Sequence, residues 1–315
     1  MATTRSIAAA FLAVALLGGG PGQAQSGDRP FTVTETGESY GSLQDAVNAI
    51  GEGQGTIRVA SGRYRDCAVQ EAGTITFAAA VPGEAVFDGG ICEEKATLVL
   101  RGQAARVEGL TFTHLRVPDG NGAGIRIEQG NLVVSESMFV DSQCGILSAA
   151  DANSTVSIDH STFSQLGKHP DGNGAHAVYI GHYGMARVTN SRFERGTGGH
   201  YLKIRAPRVE IIGNSFDDSQ GHDTNYMIDL PEGAVGRIAD NSFVQGTGKE
   251  NYGTFIAVHA EDGDNPSAGL VIENNTAWLV PGFAWTTAFI GDWSGEALVI
   301  RNNRLAQGIT PFQRH

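Results

Sequence analysis

One hexapeptide returns eight times in the second two-thirds of the chain, and it restricts what the chain can fold into more than any other feature. The copies are VEGLTF (107–112), VSESMF (134–139), IDHSTF (158–163), VTNSRF (188–193), IIGNSF (211–216), IADNSF (238–243), IENNTA (272–277) and IRNNRL (300–305). Successive starts lie 27, 24, 30, 23, 27, 34 and 28 residues apart. Self-similarity at such a period marks a solenoid, because one unit cannot bury its apolar face alone and must stack on the next. An aliphatic residue, a small polar or Asn residue and usually a Phe recur at fixed places. About two strands per coil with no helical pattern between them exclude alternating strands and helices, and the leucine-rich-repeat signature is missing. The pattern predicts an all-β parallel solenoid of about nine coils. Phe112, Phe139, Phe163, Phe193, Phe216 and Phe243 should stack inside it, and Asn214, Asn241, Asn275 and Asn303 should take tight, left-handed bends with amides bonded along the stack.

The N-terminal segment MATTRSIAAAFLAVALLGGGPGQAQ carries one basic residue, Arg5, an apolar run from Ile7 to Leu17, and small residues before a cut after Ala24. It reads as a secretory signal peptide over residues 1–24, the apolar run being too short for a bilayer span. Residues 25–315 then form one domain, expected to be secreted or periplasmic, monomeric and without membrane insertion. Removing Arg5 leaves 21 basic residues against 34 acidic ones, a formal charge of −13. That surface repels nucleic acid and anionic membranes but still admits an anionic polymer at a locally basic groove. Cys67 and Cys92 are 25 residues apart, close to the repeat length, so a bridge between neighbouring coils fits; Cys144 would remain a free, buried thiol. The loops Pro118–Ala123 and Pro170–Ala175 are both PDGNGA. Their Asp and Asn could hold calcium, but Asp-Gly and Asn-Gly are ordinary turn formers and the turn reading is preferred, so no cofactor is called for.

This pattern resembles the right-handed parallel β-helix of the pectate-lyase-like superfamily, over nearly the whole chain after residue 24. The segment 42–50, with Ser42 as N-cap and Leu43, Val47 and Ile50 on one face, is similar to the short helix that plugs the first coil in that family. Thr56–Val59 and Gly62–Tyr64 resemble its first strand and turn. The C-terminal end shows no equally clear cap.

The stretch GHYLKIRA (199–206) is where the chemistry should sit. Read as a strand, Leu202 and Ile204 point inward, while Tyr201, Lys203 and Arg205 point out. Aligning the inward pairs of successive coils stacks Arg126, Leu147, Tyr179, Lys203, Asp229 and Ala257 in one outward column. A second column holds Glu128, Gly181, Arg205, Pro231 and His259. His176 falls beside His200, and Glu261 shares the parity of His259. With neighbouring strands about 5 Å apart, these side chains form one patch. The GHxxKxR arrangement with IDLP (228–231) on the next rung is also similar to a group of secreted bacterial β-helix proteins.

In the wider superfamily, uronate-polymer lyases and epimerases use this sheet face with Lys, Arg, His or Tyr as base and acid. The resemblance therefore implies catalytic roles for Lys203, Arg205, His200, His176 and Tyr179. Asp229, His259, Glu261, Arg126 and Tyr201 are the expected substrate contacts. A convincing calcium-binding aspartate cluster of the pectate-lyase kind is missing. β-Elimination from a uronic acid needs a cation on the carboxylate, a base for the adjacent proton and an acid for the leaving oxygen. Arg205 suits the clamp, Lys203, His200 or His176 the base, and Tyr179 the acid, so the expected function is a lyase for an acidic polysaccharide. A glycoside hydrolase on the same fold would use Asp229 and Glu261. A silent carbohydrate-binding scaffold would use stacking aromatics such as Trp278, Trp285 and Trp293.

Overall fold

The computed structural model describes residues 29–167 and 175–315. The segment 1–24 and most of the second PDGNGA loop lie outside them. The chain winds into a parallel solenoid whose three faces are sheets of 12, 10 and 11 strands, each strand bonded to its equivalent in the next coil except at the N-terminal edge, where Phe31–Val33 pairs antiparallel with Glu38–Tyr40 and Gln54–Val59. Most strands have only three to six residues, which suffices because each is held by neighbouring coils and turns at once into the next face.

The hexapeptide is the corner between the first and second sheets. Its second residue ends a strand of the first sheet, its third turns the chain, and its sixth lies inward on the strand of the second sheet that begins at its fourth or fifth residue. From Phe112 to Phe243 the rings stack at centroid spacings of 4.8–5.0 Å with planes within 12°. Phe87 extends the column at 5.7 Å. Phe193→Ala removes a fully buried ring with a ring above and below it, so its unfolding free energy in denaturant should fall by about 3–5 kcal/mol. A loss below about 1 kcal/mol would mean that the column closes over the gap.

The asparagines divide the role expected of them. Their amides do bond along the axis: Asn214 Nδ2 donates to Asn241 Oδ1 at 3.0 Å, Asn241 to Asn275 at 2.9 Å and Asn275 to Asn303 at 2.9 Å. Ser137, Ser161 and Ser191 continue the ladder in earlier coils, each hydroxyl or amide oxygen taking the backbone N–H of the residue one coil before. The left-handed residue, however, is the one before, at Asn190, Gly213, Asp240, Asn274 and Asn302, with φ between 48° and 71°. The bend comes first, and the amide then fills the space under it.

The helix Leu43–Ile50 covers the N-terminal opening, with Leu43, Ala46 and Val47 buried and the Ser42 hydroxyl accepting from Asp45 N. Gln44 extends this cover to the strand edge: its Oε1 accepts from Val69 N at 2.8 Å and its Nε2 donates to Val69 O at 3.0 Å. That pair of bonds occupies the polar groups that would otherwise invite strand addition. Cys67 and Cys92 are bridged, joining two coils, and Cys144 is buried with its thiol pushed up to about 12 by burial. At the far end Val299 and Ile300 are exposed, and Gln313–Arg314 pairs beside Thr287–Asp292. No helix among the described residues is long and apolar enough to cross a membrane.

Candidate functional site

The third sheet carries the site. Its register places Arg126 beside Leu147, Leu147 beside Tyr179, Tyr179 beside Lys203, Lys203 beside Asp229, and Asp229 beside Ala257, the column expected from the repeat. Strands Val178–Ile180, Leu202–Ile204 and Ile228–Leu230 bury their first and third residues in the core, which forces the middle one outward. Arg205 follows at the strand end, its backbone N bonded to Ile180 O at 2.8 Å.

These outward groups form a dense ion network. Lys203 Nζ lies 3.0 Å from Asp229 Oδ2 and 2.6 Å from Glu261 Oε1. Arg205 donates from Nη1 to Glu232 at 2.5 Å, from Nη2 to Glu261 at 2.6 Å and from Nε to Tyr179 Oη at 2.9 Å. His182 Nε2 reaches the other oxygen of Glu232 at 2.8 Å. Burial works to lower the Lys203 pKa, but Asp229 and Glu261 outweigh it and hold the ammonium above its ordinary value. Lys203 is therefore a fixed cation and is unsuited to the role of base. Arg205 is also committed, with each of its three nitrogens engaged. Two cations here face three carboxylates, so the site is not the cationic spot that strand parity suggested.

Tyr201 departs from expectation altogether. It is 2% exposed, accepts from Gly196 N at 2.9 Å and donates to Asp218 Oδ1 at 2.7 Å. Residue 201 precedes the strand Leu202–Ile204, where the chain is still a loop and period-two alternation does not apply. Asp218 in turn pairs with Lys249 in the interior. Tyr201 is thus core and makes no substrate contact. Asp229 is 2% exposed as well, with Oδ1 lacking any hydrogen-bond partner among the described residues; burial raises its pKa. A carboxylate this enclosed does not flank a scissile bond, which removes the hydrolase pair with Glu261. His259 is half-buried in a left-handed turn, its Nδ1 buried and without a hydrogen-bond partner among the described residues.

The histidines are brought together. His176 Nδ1 and His200 Nδ1 lie 3.2 Å apart, and His200 Nε2 lies 3.4 Å from Asp229 Oδ2. The His200 backbone N–H also points at His176 Nδ1 from 3.2 Å. Burial, reinforced by Lys203, pushes His176 down to about 4, and burial with the neighbouring His176 pushes His200 well down too, so both rings are neutral near pH 7. Because the unfolded imidazole titrates near 6.5, the unfolded chain binds more protons between about pH 4 and 6.5, and stability should rise with pH across that window. The melting temperature should therefore drop on acidification through it, and His176→Gln should flatten the drop. An unchanged slope in that variant would show that the ring is already protonated in the fold.

Beside this network opens a groove of about 460 Å³, lined by Lys95, Asp119, Asn121, Arg126, His176 and Tyr179 among others. Arg126 enters it with one long ion pair, Nε to Glu128 at 3.7 Å, and its Nε has no hydrogen-bond partner among the described residues. His176 and Tyr179 rings face each other at 5.8 Å. Glu232, Tyr226 and the groove wall at Lys95 escaped the sequence reading. Glu232 directly follows the IDLP rung, and that adjacency was the available signal. Among the described residues no group of three or more His, Cys, Asp or Glu is arranged to hold a metal ion.

A parallel β-solenoid with a polar groove on one sheet is a right-handed β-helix protein with a candidate surface site. Residues 123–305 match the family described as right handed beta helix region, and the chain belongs to that family. It is similar in structure to rice weevil pectin methyl esterase, at 9% identity and a TM-score of 0.54, covering 82% of this chain and 92% of that one. It is also similar to the Streptococcus pneumoniae surface protein and adhesin PfbA, at 12% identity and a TM-score of 0.45, covering 86% and 94%. At 9% identity the likeness to the esterase is one of fold. No curated protein matches the chain.

Proposed function

We propose that this protein is a lyase that cleaves a uronate-containing polysaccharide by β-elimination, working as an exported monomer without a cofactor. The observation that carries the reading is the convergence of a neutral His176, Tyr179 and an under-paired Arg126 on one groove. Arg126 takes the uronate carboxylate and makes the adjacent proton acidic. His176 Nε2 removes that proton, its electron pair forms the new carbon–carbon double bond, and the glycosidic oxygen leaves with the Tyr179 proton. Arg205 donates to Tyr179 Oη, so the phenol hydrogen is free to turn to the leaving group.

Asp229 and His200 position the base. An ionised Asp229 holds the His200 proton on Nε2, His200 Nδ1 then accepts from His176 Nδ1–H, and His176 Nε2 is left as a lone pair. The His200 backbone N–H points at the same His176 Nδ1 and favours the opposite tautomer, so the base form requires that amide contact to lengthen when substrate enters. The Cys67–Cys92 bridge supports the exported location, since disulfides persist in oxidising compartments.

The test is incubation with a panel of acidic polysaccharides, reading ultraviolet absorbance of unsaturated chain ends. New reducing ends without unsaturation would replace the lyase by a hydrolase, and binding without cleavage would favour a scaffold. The panel includes methyl-esterified pectin, on which methanol release without unsaturation would make the protein an esterase.

A further inference from the structure

The row of rings at the site does not stop at the histidines. His200 is followed by Tyr226 at 5.6 Å between centroids, and Tyr226 by Trp293 at 6.5 Å. Both are half-buried; Tyr226 directly precedes the rung of Asp229, and Trp293 lies two coils further toward the C-terminal end. The sheet beneath them is made low on purpose of sequence: the outward column continues from Asp229 through Ala257 to Gly291. A Cβ at Gly291 would stand 2.8 Å from Trp293 Cζ3, so only glycine lets the indole lie down against the sheet.

The remaining face of Trp293 already bears a flat ring. His315 stacks on it at 3.9 Å with planes 3° apart. Its backbone N bonds to Asp292 O at 2.8 Å, and Arg314 Nη2 holds Asp292 Oδ2 at 3.2 Å and Glu296 O at 2.7 Å. His315 is exposed and its ring makes no hydrogen bond or ion pair among the described residues, so it can swing away while the backbone stays paired.

We propose that Tyr226 and Trp293 form a stacking subsite for a sugar ring of the polysaccharide, and that the His315 side chain occupies the Trp293 face until a sugar displaces it. The proposal rests on the polysaccharide reading of the adjoining groove. The apolar face of a pyranose suits an indole, and the platform is continuous with the charged site through His200. It carries no charge of its own. It therefore selects for chain length and leaves the choice of acidic sugar to the groove.

The test measures dissociation constants by calorimetry for oligogalacturonate and oligomannuronate ladders, in the His176→Ala background so that nothing is cleaved. Affinity should rise with length up to the sugar that reaches the platform. Trp293→Ala should remove that step, a loss of about tenfold, whereas Trp293→Phe should keep most of it. His315→Ala should tighten binding of the longer oligomers about threefold and leave the shorter ones unchanged. Equal affinity of wild type and Trp293→Ala at every length, with Trp293→Phe folded normally, would overturn the subsite, as would failure of every oligomer to bind. Weaker binding in His315→Ala would overturn the displacement. Cleavage by the His176 form with no Trp293 effect would sink the subsite alone; a Trp293 effect with no cleavage would sink the lyase alone.

Discussion

Lys203→Ala should destabilise the fold by about 3–5 kcal/mol, far more than its place on the outward side of a sheet suggests. Lys203 is 7% exposed and is the closest cation to Asp229, which is 2% exposed. Removing it strands a buried carboxylate whose second oxygen already lacks a partner. Glu261, the other partner, is half exposed and can return to water. Lys203→Met combined with Asp229→Leu should recover most of the loss, since deleting both charges of a buried pair costs far less than orphaning one. Tyr179→Phe, on the same column but more open, should change stability by under about 1 kcal/mol. Equal denaturation midpoints for Lys203→Ala and Tyr179→Phe would show that Asp229 is solvated or protonated in the native state.

The second large effect is on chemistry. His176→Ala and Arg126→Ala should each lower the rate of double-bond formation by about 10²–10⁴-fold, the range for loss of a positioned base or of a charge clamp. The two should differ in kind. His176→Ala loses kcat at unchanged affinity for oligouronates, whereas Arg126→Ala also raises KM, because its guanidinium meets the carboxylate before and during the reaction. Asp229→Asn should fall between wild type and His176→Ala, with the shortfall in kcat. Full activity in His176→Ala would transfer the role of base to Tyr179.

Much of this arrangement was legible before any coordinates. The stack from Phe112 to Phe243, the column from Arg126 to Ala257 and the possible coil-to-coil bridge of Cys67 and Cys92 all follow from one repeat, and the capping helix follows from the Ser42 cap and the spacing of Leu43, Val47 and Ile50. The misreadings share a location. Tyr201 was placed outside because its stretch was read as strand one residue too early. Lys203 and Arg205 were read as available because Glu232 and Glu261 lie past the strand ends. Asn214 and its equivalents were given a bend that belongs to the residue before.

The division has a physical cause. In a parallel solenoid each strand pairs with its equivalent one coil away, so register repeats with the sequence, and the sequence alone determines which side chains share a row and which way they face. The loops between faces obey no period. They decided which carboxylates reach Lys203 and Arg205, how deeply His176, His200 and Asp229 are covered, and where Trp293 lies relative to Tyr226. Burial and charge partners depend on distances across the fold, and these set the protonation of His176 and the commitment of Lys203, which no count of residues along the chain contains.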